Sequence, residues 1–132
     1  MNSYNLADLG WSDDFAAGLS GGAVPLRVTA VHRGRVEALG EGGPVSLPTA
    51  AEALAVGDWI GAEDGRILSV LPRRTLLARR AAGGAAEGQL IAANVDTLGI
   101  VTSCNADFSL ARLERYLVLC AQAGCLPLVV LT

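Results

Sequence analysis

The sequence predicts two modules in series, a small antiparallel β module and then a strand–helix–strand unit of α/β type, and three observations carry that prediction. Between residues 25 and 72, apolar and polar side chains alternate in short runs broken by turn signals, the period of half-buried strands. Between 73 and 89 the alternation gives way to charge, small residues and glycine, the composition of a linker. From residue 90 a strand-like run, a helical period and an unbroken apolar run follow in order, the pattern of a βαβ crossover.

Residues 1–24 read as an N-terminal extension. Leu6, Leu9, Phe15 and Leu19 are loosely helical in spacing and end at Ser20-Gly21-Gly22; short turns there either dock Trp11 and Phe15 on the next module or fray. From Pro25, Leu26, Val28, Ala30 and His32 fall on one face and Arg27, Thr29, Val31 and Arg33 on the other. Similar runs continue to residue 72, with a glycine-rich turn at 40–43 and Asp64-Gly65 as a hairpin marker. About five short strands fit an OB-fold β-barrel over 25–72, with an SH3-like barrel as the alternative. After the 73–89 linker, Ser109 can cap a helix whose Leu110, Leu113, Leu117 and Cys120 share a face, and Gly124 can end it. Val129, Val130 and Leu131 read as a strand buried on both faces of a parallel sheet. Two parallel strands cannot cover such faces, so 90–132 reads as the incomplete start of a larger α/β domain.

Composition excludes several chemistries. All ten basic residues are arginine, and without lysine the chain cannot contain a phosphate-binding P-loop. Three cysteines without a Cys-x-x-Cys pair, with His32 as the only histidine, leave too few ligands for a zinc site. The cysteines are expected as small buried hydrophobes, and a Cys104 nucleophile served by His32 would have to join two modules. No leader pattern or run of about 18 apolar residues is present, so the chain reads as soluble and cytoplasmic, with no membrane partner.

The net charge of −3 is uneven: residues 1–24 carry three acids and no base, 25–84 eight arginines against six acids, and 85–132 two arginines against four acids. Arg33 and Arg35 flank the first hairpin turn, and Arg73, Arg74, Arg79 and Arg80 cluster at the module's exit. OB-folds use such loops for oligonucleotides, and the arginine fork suits phosphate. The competing reading is a solvated face with ion pairs to Asp58, Glu63 and Asp64. Trp59 is the only aromatic of this module and can point inward, which favours structured RNA read by shape and phosphate over splayed single strands. DNA is not expected.

The segments LPRRTLLARRAAG, QLIAANVDTLGIVTS, NADFSLARLERYLVL and PLVVLT, in this order behind a module carrying VHRGRV and VGDWI, closely resemble the RsgA family of small ribosomal subunit-dependent, circularly permuted GTPases. The resemblance runs from about Pro25 to Thr132 and extends to LGWSDDF near the start. It implies an OB-fold that binds 16S rRNA on the 30S ribosomal subunit and assists late maturation, followed by a GTPase domain whose Asn/Thr-Lys-x-Asp motif precedes its P-loop. By this resemblance Thr132 is the first residue of that motif and a GTP-binding position, and Arg33, Arg35, Arg73, Arg74, Arg79 and Arg80 are candidate rRNA contacts. It also implies GTP and Mg in the complete protein and Zn in a C-terminal domain, with no cofactor and no GTP hydrolysis expected of these 132 residues alone. The alternative function is a stand-alone OB-fold RNA-binding module without nucleotide chemistry. The first reading expects exposed apolar surface at 95–103 and 126–131, the second expects it covered.

Overall fold

The computed structural model describes residues 3–80 and 88–132, and the chain divides into two compact units at Arg73/Arg74. The first unit contains β1 (Val24–His32), β2 (Arg35–Gly40), β3 (Gly43–Pro48), β4 (Trp59–Glu63) and β5 (Arg66–Val70). These form one antiparallel sheet in the order β3-β2-β1-β4-β5. No ladder joins β3 to β5, so the sheet is open where a closed barrel was expected. The residues give a reason. β3 carries Pro44 and Pro48, which have no N–H to donate to a further ladder, and proline in sheets belongs on edge strands.

The strand pattern follows the alternation in sequence, with one break. Leu26, Val28, Val36, Ala38, Leu47, Ile60 and Ala62 form the buried core of the sheet. A bulge between Val28 and Ala30 shifts the register of β1 against β2, so Ala30 is only half-buried and His32 is exposed although both share parity with Leu26. At the β4–β5 turn Asp64 and Gly65 have φ of 53° and 74°, as the Asp-Gly signal requires. Gly40 is needed for a different reason: a Cβ there would collide with the Leu26 side chain.

A second cluster in this unit joins Phe15, Trp59 and Leu71 with Leu6, Leu9, Trp11 and Leu19. The N-terminal segment is thus docked, through two short 3-10 turns at Leu6–Leu9 and Asp13–Gly18. Trp11 meets Trp59 edge-on, with ring centroids 4.9 Å apart, a favoured aromatic geometry.

The second unit holds β6 (Leu76–Arg80), β7 (Gly88–Ala93), β8 (Thr97–Thr102), α1 (Leu110–Ala123) and β9 (Leu126–Leu131). β6 and β7 pair antiparallel; β8 and β9 pair parallel with α1 between them in sequence. The expected linker therefore contains a strand at 76–80, and residues 81–87 of that stretch lie outside the described residues. Its composition concealed this because Arg79 and Arg80 sit within β6 beside Leu76 and Leu77. The run 90–103 likewise divides into two strands, bent at Asn94, which has φ of 57°.

Helix α1 begins where Ser109 Oγ accepts from the Arg112 N–H and ends at Gly124, with φ of 84°, as the caps in sequence indicate. Its inner face differs from expectation. Leu113, Leu119, Cys120 and Ala123 pack with Leu77, Ile100 and Cys125, whereas Leu110 and Leu117 are exposed. A helix with a second apolar stripe offers two candidate faces, and spacing alone does not choose between them. Cys120 and Cys125 are buried as expected, but Cys104 is exposed on the loop after β8.

Candidate nucleic-acid interface

The β1–β2 turn is built by the closing pair His32 and Arg35. Gly34 between them has φ of 82°, and a Cβ there would meet open space; glycine is required by the backbone conformation, not by crowding. The turn therefore projects into solvent. Arg33 is exposed and has no hydrogen-bond or ion-pair partner among the described residues. Arg35 Nε donates to Ser46 Oγ at 3.0 Å, which orients its guanidinium along the outside of β3. His32 Nε2 lies 2.9 Å from Glu37 Oε2, with both side chains more than half exposed, so this pair contributes little to stability.

Arg73 is used differently. Its Nε and one terminal nitrogen donate to the two carboxylate oxygens of Asp58 at 2.7 and 2.8 Å, and that nitrogen also donates to Ala53 O at 2.9 Å. Asp58 is fully buried and further accepts from the Ala55 N–H at 2.8 Å. The hydrogen bond to Asp58 holds the Arg73 guanidinium above its ordinary pKa. The fork that would grip a phosphate is already filled by a carboxylate, so Arg73 anchors the end of the first unit. The ion-pair reading of the sequence describes this residue, with Asp58 as its partner. Arg27 is committed as well: Nε donates to Gly57 O, another nitrogen to Leu9 O, and the guanidinium stands 5.8 Å from the Trp59 ring centroid.

In the second unit Arg74 is exposed while its main-chain N–H donates to Asn94 Oδ1 at 2.8 Å. Arg79 is exposed on β6, opposite Gln89. Arg80 pairs with Gly88 in the ladder; its side chain lies outside the described residues. Of the six candidates, the structure brings Arg33 and Arg35 together on one turn, occupies Arg73, and distributes the rest over the second unit. Thr132 continues the β8–β9 ladder: its N–H donates to Thr102 O and its carbonyl accepts from the Cys104 N–H. It thus stands at the carboxyl edge of the parallel strands, where α/β sheets place ligands.

Two motif residues are structural pins. Asn94 of AANVD is buried, its side chain holds Arg74, and its N–H donates to Thr75 O. Trp59 of VGDWI is wholly buried, with an indole N–H that meets no acceptor among the described residues. Residues 18–22 also spell Gly-x-Ser-x-Gly, but a hydrolase elbow needs strand, turn and helix. Here the segment leaves a 3-10 turn and enters β1.

The fold and these positions define a class: an antiparallel β module carrying a basic turn, followed by a unit that contains a parallel strand–helix–strand crossover. Residues 70–132 match the family described as RsgA GTPase. The chain is 48% identical to the small ribosomal subunit biogenesis GTPase RsgA of Mesorhizobium japonicum over 99% of its own length and 40% of the relative's. It is 36% identical to the protein of the same name from Streptomyces coelicolor, covering 39% of that relative. The chain therefore belongs to the RsgA family, and it spans about two fifths of the length of these curated relatives. The fold is similar to that of YloQ, described as a circularly permuted GTPase, with a TM-score of 0.57 and 20% identity over 84% of this chain and 41% of YloQ.

Proposed function

We propose that this chain supplies the RNA-binding front portion of a GTPase that binds 16S rRNA on the 30S ribosomal subunit and assists its late maturation. The observation that carries this reading is the β1–β2 turn, where Arg33 has no partner among the described residues and Arg35 is exposed and held by Ser46, in a chain whose relatives are named small ribosomal subunit biogenesis GTPases. The first sheet is read as an OB-fold. Its order β3-β2-β1-β4-β5 is that of a five-stranded Greek-key barrel left partly open, a form OB-folds take, and the loop between strands 1 and 2 is one of their oligonucleotide-binding elements. Arg74, Arg79 and Arg80 are further phosphate contacts, while Arg73 positions the end of the unit.

Thr132 is read as opening the guanine-recognition motif. The chain's own residues do not make a phosphate cradle, since it has no lysine. The P-loop, the groups that hold Mg and the Zn-binding domain belong to residues outside it, and the 132-residue chain is expected not to hydrolyse GTP. The second unit is read as the beginning of the GTPase sheet, supported by a β9 whose apolar residues are exposed along its whole length; over 95–103 the expected exposure holds for Val101, whereas Ile100 is buried.

The reading is tested by measuring binding of deproteinised small-subunit rRNA against salt concentration, with Arg33→Gln/Arg35→Gln as comparator. Affinity should fall steeply with salt, and the double variant should flatten the log–log slope by about 2. Binding that does not respond to salt would sink the RNA reading.

A further inference from the structure

The second unit contains a groove of about 690 Å³ between β6 and α1, lined by Arg79, Arg112, Arg115 and Tyr116, with Val118 and Leu119 among its apolar residues. Helical spacing explains the convergence. Positions 112, 115, 119 and 122 recur at three and four residues, so Arg112, Arg115, Leu119 and Gln122 form one stripe of α1, and this stripe faces Ala78 and Arg79 of β6.

Three features distinguish this stripe from an ordinary solvated face. None of the three guanidiniums has an ion pair with a carboxylate among the described residues; Arg112 reaches only a main-chain carbonyl, that of Asp107, at 3.1 Å. Arg112 lies in the first turn of α1, which contains no acid, and Arg115 lies just beyond it. The helix dipole makes that end positive, so cations there oppose the local field when an acid would be favoured. A local rule broken without a compensating carboxylate among the described residues points to a function. Thirdly, Tyr116 exposes 44% of its surface beside the arginines, a flat face on which a base can stack.

We propose that this groove is a second RNA-binding surface, on which Arg79, Arg112 and Arg115 hold consecutive phosphodiesters and Tyr116 stacks an unpaired base. It rests on the RNA-binding reading above and extends it from the β1–β2 turn to the second unit. The preferred ligand is an RNA with an unpaired segment, since A-form duplex alone offers Tyr116 no exposed base.

The experiment compares the 132-residue chain with Arg112→Gln/Arg115→Gln, Arg112→Lys/Arg115→Lys and Arg33→Gln/Arg35→Gln in titrations of deproteinised small-subunit rRNA. Between about 50 and about 200 mM salt, the affinity lost by the glutamine pair at 112 and 115 should be about tenfold smaller than the parent's loss, because two phosphate contacts are gone. The lysine pair, which keeps the charge, should restore the parental slope; failure to do so would assign the effect to altered packing and overturn the proposal. Should the glutamine pair fail to fold, Arg115→Gln alone, whose side chain makes no hydrogen bond among the described residues, should shrink that loss about threefold. A parental slope in the glutamine variant, with a flattened slope in Arg33→Gln/Arg35→Gln, would remove the groove and leave the first-unit reading standing. A flat slope in the parent chain would remove both.

Discussion

The two units are held together in different ways. In the first, a continuous five-stranded sheet buries one face, the N-terminal turns cover Trp59, and Asp58 with Arg73 closes the last segment. In the second, two separate two-stranded sheets share a small core cluster whose buried members, among the described residues, are Leu77, Ile100, Cys120 and Cys125, and every residue of β9 is exposed. The first unit has the anatomy of an independent domain, whereas the second presents apolar strands of the kind that parallel sheets bury on both faces. Polar groups follow the same division. The first unit's buried carboxylate accepts three hydrogen bonds, while arginines of the second stand on a groove with no carboxylate among its described lining residues.

The largest expected effect tests the closure of the first unit. Asp58→Ala removes the acceptor of three hydrogen bonds; Arg73 keeps access to water and its bond to Ala53 O, so the cost is about 3 kcal/mol, at the lower end for breaking a buried pair. Both tryptophans, Trp11 and Trp59, belong to this unit. Urea unfolding followed by tryptophan fluorescence should therefore show an earlier midpoint. An unchanged midpoint would mean that the pair contributes nothing and that the aromatic cluster alone holds the segment.

A smaller effect is expected at the β7–β8 bend. Asn94→Ala forfeits the acceptor for the Arg74 N–H and forces alanine into the left-handed region, together about 2 kcal/mol. Faster hydrogen exchange in β6 and β7, with tryptophan fluorescence unchanged, is the expected signature. A loss of fluorescence would show that the units do not unfold separately.

Much of the fold was legible because it is written in local signals. The Asp64-Gly65 turn, the Ser109 and Gly124 caps and the alternation in β2 are properties of neighbouring residues, and each stands where the spacing put it. What failed to show was decided by distant partners. The bulge in β1 is set by its pairing with β2, strand β6 exists because β7 pairs with it, and the inner face of α1 was chosen by Leu77 and Ile100. Among the site residues, Arg33 and Arg35 fall together because they are neighbours on one turn. The capture of Arg73 by Asp58, 15 residues away, needed the folded chain. The cysteines show the same limit: burial raises the Cys120 thiol above its ordinary pKa of 9.0, assisted by its hydrogen bond with Cys125. A raised thiol stabilises the second unit below pH 9 and withdraws that support as pH climbs further. A thiol reagent at neutral pH should label Cys104 at once and Cys120 and Cys125 only on unfolding; early labelling of all three would mean that the small core opens readily.

The smallest effect sharpens the comparison most. Leu128 on β9 exposes 56% of its surface, so Leu128→Lys should alter stability by less than about 0.5 kcal/mol, as surface substitutions usually do. Val28 in the first unit, which exposes 1%, could not take a lysine on such terms, because the charge would be buried without a partner. Exposed apolar strand edges also template association, and Leu128→Lys should therefore shift the chain toward monomer in sedimentation while leaving its unfolding curve in place. If the variant instead unfolded the second unit, Leu128 would be needed for packing within that unit, and the contrast between a well-covered first unit and an exposed second one would have to be withdrawn.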